Sequence, residues 1–208
     1  MNQIKKIRST SIWIFIVPFI GINACLLLTT QFHSFDLIAH QYKIFSPFPY
    51  IDGGVSISRT ARYYPAYLIF KPAMFLTSFL LIKYWLFNKE VIQNFDKNHK
   101  HLKKIMFFGI GSAIALTIHS IFLGISFEND FYKFFRRVIM FVFIIFEITA
   151  QAYLVATLYS FKNELIKSIN VKVLKLKLIL VSILIVVAVI SIPILGWPGN
   201  TFKFLKHA

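Results

Sequence analysis

The chain has 208 residues, of which 57% are hydrophobic and only 15% charged, and its formal net charge is +15. That composition supplies too little polar surface to cover the core of a soluble domain of this size, which excludes an ordinary water-soluble fold. A nucleic-acid partner would need the Lys and Arg gathered on one surface, but they fall between long apolar runs, so that class is excluded too.

Five apolar runs, 11–30, 66–87, 105–125, 138–158 and 178–197, each cover about 30 Å as helices, the hydrocarbon thickness of a bilayer. Backbone amides cannot stay unpaired in lipid, and none of the runs alternates as a strand does. The pattern predicts an all-α, polytopic transmembrane helical bundle with five visible spans, a single transmembrane domain over 1–208. The first run follows a basic start, Lys5, Lys6 and Arg8, and Ile22-Asn23-Ala24-Cys25 has some likeness to a lipoprotein cleavage site. Leu26, Leu27 and Leu28 carry the run past that point, so a span is expected there and not a cleaved signal. Cys25 is the sole cysteine, which leaves no intramolecular disulfide and no cysteine metal cluster. Pro18 with Gly21, and Pro193 with Gly196, predict kinks in the first and fifth spans.

In the second run Lys71 and Ser78 share a helix face, and a helix starting at Pro72 would leave Lys71 at the interface. The third run pairs small residues four apart, Gly109 with Ala113 and Gly111 with Ala115, which lets a neighbouring helix approach closely. His119 lies seven residues after Ser112 on the same face. In the preceding loop, His99 and His101 have no acidic residue nearby except Asp96, so no metal site is expected, and no cofactor. The fourth run holds a carboxylate near its middle, Glu147, and helical spacing sets Arg136, Met140, Phe143, Glu147 and Gln151 along one face. The connection 159–177 places Leu165, Ile166, Ile169, Val173 and Leu176 against five lysines, which suits either a basic amphipathic segment on an anionic leaflet or two protruding helices that turn near 168–170. The second form is the one expected.

Thirteen basic residues flank the spans on the N-terminal side against eight on the other, which orients the N-terminus toward the cytoplasm. With that alternation Lys71 and His119 fall in the outer half of the membrane, and Glu147 slightly deeper. Intramembrane ionisable groups face the bundle interior and are functional candidates by default. Convergence of the three faces would give a polar cavity open to the outside, with Glu147 paired to Lys71 or to His119. A carboxyl raised by burial beside an imidazole suits a proton relay or an acid–base pair, and the same geometry also serves as a plain interhelical hydrogen bond.

The outer loop 31–65 is aromatic-rich and holds Pro47-Phe48-Pro49-Tyr50-Ile51-Asp52-Gly53-Gly54, followed by Arg59 and Arg62. Paired glycines let amides converge on an anion, and two arginines three apart can grip a lipid phosphate; the other reading is a tight turn with interfacial arginines. The stretch Pro49-Tyr50-Ile51-Asp52-Gly53-Gly54, set between the first and second spans, resembles the first-outer-loop signature of the Frag/DRAM/Sfk family of polytopic membrane proteins, the CWH-like N-terminal domain. Members typically read Pro-aromatic-Ile-Ser-Asp before glycine, whereas here Asp52 stands at the serine position and Gly53 at the acid. The resemblance implies a setting of membrane lipids, no fixed catalytic triad, no cofactor, and six spans with both termini cytoplasmic, so a sixth span is expected after Ala208.

The expected function is therefore that of a non-catalytic or lipid-handling integral membrane protein. Its candidate ligand or lipid residues are Glu147, His119, Lys71, Gln151, Arg59, Arg62, Asp52 and Arg136, and its expected partners are membrane lipids, including anionic headgroups. One alternative is a small solute or proton-coupled transporter titrating at Glu147 and His119, although inverted repeats are not evident. Another is a membrane-embedded acyl transferase or hydrolase with His119 as base, although no Ser-His-Asp or metal spacing accompanies it. The abundance of Lys, Ile, Phe and Asn suits an A+T-rich bacterial genome and hence a bacterial inner membrane.

Overall fold

The computed structural model describes residues 2–30, 61, 65–123, 130–165 and 170–196. They form α1 (Asn2–Thr30), α2 (Ala66–Phe95), α3 (Leu102–Phe122), α4 (Asp130–Ser160), the one-turn α5 (Lys162–Leu165) and α6 (Val171–Gly196), with no strand among the described residues. The five longer helices are each long and apolar enough to cross a membrane.

Four of these helices outlast their apolar runs. Hydropathy marks only the part that meets hydrocarbon, while backbone hydrogen bonding continues into the headgroup zone through good helix formers such as Lys, Gln and Glu. Thus α1 begins at Asn2 and α2 continues to Phe95. The start of α2 agrees with the second apolar run: it follows Pro65, and Pro72 lies inside the helix, so the alternative start at Pro72 is not taken and Lys71 is a helical residue. Pro18 is likewise inside α1. The connection after α4 agrees with protruding helices, since α6 begins ahead of its apolar run. Asn170 starts it, its Oδ1 accepting the Lys172 amide at 2.9 Å in an N-cap bond.

Consecutive helices pack as neighbours, α1 on α2, α2 on α3 and α3 on α4, and α6 returns to α4. Large apolar side chains face outward on every span, for example Phe15, Leu76, Phe107, Ile145 and Val186, while Thr77, Ser78, Asn88, Ser112, Ser120 and Thr157 are buried. That distribution is inverted relative to a water-soluble protein and suits lipid, where small and hydroxyl residues mediate helix contact. Most of those hydroxyls bond within their own helix: Thr77 to Ala73 O, Ser78 to Met74 O and Ser120 to Leu116 O, at 2.7, 3.0 and 2.8 Å.

Glycines make room for close helix contacts. A Cβ on Gly109 would stand 2.4 Å from the Trp85 ring of α2, and one on Gly111 would stand 2.7 Å from the Phe146 ring of α4. The small residues of α3 therefore seat bulky rings from two different neighbours. On the other side of α2, Gly21 of α1 receives Ala73, with 2.7 Å left for a Cβ.

Two apolar clusters fill the interior. The cluster on the N-terminal side gathers Tyr84, Trp85, Ile92, Leu102, Ile105, Ala150, Leu154, Leu158 and Leu174. The far cluster gathers Cys25, Phe70, Met74, Leu81, Ala113, Leu116 and Leu123 with Phe143 against it. On α3 the residues between the two are Gly109 and Ser112, and on α4 the residue between Phe143 and Ala150 that turns inward is Glu147.

Candidate functional site

A polar layer thus lies at mid-depth between the two clusters. The Ser112 hydroxyl, fully buried, has two acceptors in reach: Glu147 Oε2 at 2.7 Å and the Gly109 carbonyl at 2.8 Å. Gln151, one turn along α4, donates from Nε2 to Glu147 Oε1 at 2.8 Å. Both carboxyl oxygens therefore accept a bond, one from the facing helix and one from their own. The layer keeps unspent capacity, because Gln151 Oε1 and Trp85 Nε1 are buried without a hydrogen-bond partner. Glu147 itself is half-buried and forms no ion pair with the described residues.

The expected pairing of Glu147 with Lys71 is corrected by this arrangement. The Lys71 ammonium donates instead to the Ile121 carbonyl, at 3.4 Å, and lies 5.7 Å from the centre of the Tyr67 ring. Ile121 is in the last turn of α3, where unpaired carbonyls and the negative end of the helix dipole attract a cation. From the opposite neighbour, the Tyr132 hydroxyl of α4 donates to the next carbonyl, that of Phe122. The far end of α3 is therefore capped from both sides, and the start of α2 at Ala66 is what brings Lys71 level with it.

His119 is half-buried in the last turn of α3, two turns or about 10 Å beyond Ser112. Arg136 stacks over Tyr132, its guanidinium carbon 5.3 Å from the ring centre, and lies eleven residues or about 16 Å along α4 from Glu147. The helical face that carries Arg136, Met140, Phe143, Glu147 and Gln151 is real, but Phe143 turns into the far cluster and interrupts its polarity. Of the sequence-derived candidates, the structure brings together Glu147 and Gln151. Asp52, Arg59 and Arg62 lie outside the described residues.

Sequence reasoning set Ser112 on the converging face of α3 without naming it as the partner of Glu147, and it left Gly109 and Trp85 off the site. The added signal was the small-residue string of α3, where Ser112 lies between Gly111 and Ala113. Cys25 has a structural role: its Sγ donates to the Ala66 carbonyl at 3.2 Å and ties α1 to the start of α2.

At the N-terminal-side mouth of the bundle, His99 Nδ1 meets Asp96 Oδ2 at 3.3 Å. The His101 ring lies 5.2 Å from Tyr153 of α4. Burial, then the nearby charges of Lys100, His99 and Lys104, hold the His101 imidazole below its ordinary range. Among the described residues, no group of three or more His, Cys, Asp or Glu is placed to hold a metal ion.

No curated protein and no solved structure gives a match to the chain. A family model does: the Frag1/DRAM/Sfk1/Cwh43P N-terminal domain, over residues 9–200, which takes in all five spans and the 49–54 stretch. The chain is a multi-pass membrane protein that belongs to the Frag1/DRAM/Sfk1/Cwh43P N-terminal domain family.

Proposed function

We propose that the chain is a non-catalytic, lipid-handling protein of a bacterial inner membrane, with its N-terminus in the cytoplasm and the Glu147 layer as a polar site reached from the outer side. The observation that carries this reading is a half-buried carboxyl at mid-depth, held by Ser112 and Gln151, beside a second buried acceptor, Gln151 Oε1, that has no partner. Two acceptors without a cation call for a ligand that brings donors, so a lipid hydroxyl or ammonium fits better than a bare phosphate. Arg59 and Arg62 in the outer loop supply the complementary anion-binding half of the same reading, for a lipid phosphate.

A hydrolase or acyl transferase is less well supported, because Ser112 is fully buried and His119 stands two turns, about 10 Å, further along α3. A proton-coupled carrier has one observation in its favour, the same uncompensated carboxyl at mid-depth.

Native mass spectrometry of protein purified in mild detergent separates the readings. A hydroxyl- or ammonium-bearing lipid retained by the natural chain and lost from Glu147→Gln is the expected result. Equal retention by both would remove Glu147 from ligand binding. A flux driven by a pH gradient in reconstituted vesicles, abolished by Glu147→Gln, would replace the lipid reading with the carrier.

A further inference from the structure

We propose a second lipid site, distinct from the Glu147 layer, along the seam between the start of α3 and the end of α4, where Lys100, His101 and Lys104 take the phosphate of an anionic phospholipid and a lane of aromatic rings takes one acyl chain. The site lies on the membrane side shared with the N-terminus, eleven residues or about 16 Å along α3 from Ser112.

The charges argue for an anion. Lys104 Nζ stands 5.5 Å from the centre of the Tyr153 ring, and the His101 ring stands 5.2 Å from it, so both are gathered on one aromatic side chain of α4. His99 is 5.6 Å from His101, ring to ring. The nearby acid Asp96 is engaged by His99 at 3.3 Å, and no described acid pairs with Lys100, His101 or Lys104. Like charges crowded in this way repel one another until an anion enters. Mutual repulsion within the group shows in His101, whose imidazole is held low by burial and by Lys100, His99 and Lys104. His101 Nδ1 is also buried without a hydrogen-bond partner, as is His99 Nε2.

The rings argue for a lipid as the carrier of that anion. Below Tyr153 the row of rings continues with Phe108, whose ring stacks on Tyr153 at 6.2 Å, and then with Phe146, edge-on to Phe108 at 5.2 Å and 5.9 Å from Phe107. Gly111 ends the lane by letting Phe146 lie against the α3 backbone. From His101 to Gly111 is ten residues of helix, about 15 Å, the depth of one leaflet of hydrocarbon. Phe107 is 65% exposed, so the lane opens sideways to the bilayer. A headgroup at the lysines thus has a chain-length apolar track directly beneath it, which a free phosphate would not use.

The test is a native mass spectrometry titration of the full chain with phosphatidylglycerol, phosphatidylcholine and inorganic phosphate. The variants are Lys100→Gln/Lys104→Gln, Phe107→Ala, and Lys172→Gln/Lys175→Gln as a control with two charges removed elsewhere on the same side. The expected result is a preference for phosphatidylglycerol over phosphatidylcholine, weakened about tenfold or more by Lys100→Gln/Lys104→Gln, weakened less by Phe107→Ala, and kept by the control. Equal loss in the control would mean diffuse attraction and overturn the site. Equal binding of the two lipids, or full displacement of phosphatidylglycerol by millimolar inorganic phosphate, would overturn the lipid assignment. The variants replace exposed side chains, and a helical spectrum matching that of the natural chain shows that folding is intact.

Discussion

Gly109→Ala tests whether the Trp85 seat holds the polar layer in place. The added Cβ would meet three atoms of the Trp85 ring at 2.4, 2.6 and 2.7 Å, where ordinary contact begins at 3.4 Å. Trp85 has no exposed surface, so the ring cannot swing aside, and α2 and α3 must part by roughly 1 Å, enough to forfeit a quarter to a half of the dispersion attraction along that seam. Overpacking of this kind costs about 1–3 kcal/mol, and alanine returns about 1 kcal/mol in helix propensity. With the ring locked, the cost lies in the upper half of that overpacking range, so the net loss is about 1–2 kcal/mol, which for a chain of this length lowers Tm by about 2–8 °C. The matched control is Gly111→Ala, where the Cβ meets Phe146 at 2.7 and 2.8 Å. Phe146 is only half-buried and can rotate toward lipid, so the propensity gain offsets the contact and Tm should stay within about 2 °C of the natural chain. Thermal unfolding of the three proteins in one detergent, followed by circular dichroism at 222 nm, decides the matter. A Gly109→Ala protein as stable as the natural chain, or a Gly111→Ala protein that falls equally far, would refute the idea that a locked ring separates these two sites.

Two further outcomes follow from the polar groups. In a double-mutant cycle of Ser112→Ala with Glu147→Ala, which removes donor and acceptor in turn, the coupling should be about 0.6–2 kcal/mol, the range for interhelical hydrogen bonds in membranes; zero coupling would mean that the bond between α3 and α4 contributes nothing. The imidazole of His101 is held low in the fold, so the unfolded chain takes up its proton first as pH falls. Its contribution to stability is complete above the unfolded value near 6.5 and is lost as pH drops below that. Tm should therefore fall more steeply between pH 7 and pH 5 for the natural chain than for His101→Asn, and parallel curves would remove His101 from the pH response.

The spans were legible because the bilayer leaves few solutions: an apolar run of this length must be helical, and its charges must sit at the ends. Glu147 was legible for the related reason that a carboxylate at mid-depth has a cost that lipid-facing residues do not. Its partner was not. Thr77, Ser78, Thr117 and Ser120 all bond carbonyls of their own helix, so a serine in a span carries no periodic sign that it reaches across, and Ser112 differs only in where α3 meets α4. The pairing of Glu147 with Lys71 failed although the span itself was read from residue 66, where α2 starts. The open carbonyls at the end of α3 lie level with Lys71 and take its ammonium, and hydropathy gives no sign of which acceptor a lysine meets on a neighbouring helix.

Stability alone does not account for Glu147. An acid at the bilayer centre costs about 2.5–3.5 kcal/mol on insertion scales. The two bonds from Ser112 and Gln151, at about 0.6 kcal/mol each on average, recover about 1.2 kcal/mol and leave part of that cost standing. An apolar side chain at the same position would join the cluster around Ala150 to the one around Phe143 and make one continuous core. The carboxyl instead divides the core, and it does so where α3 is held close by Trp85 on one side and Phe146 on the other, with an unpartnered amide oxygen next to it. Rigid seats around a costly, under-satisfied polar group are the arrangement a binding site requires, since the donors of a ligand then recover what the fold alone does not.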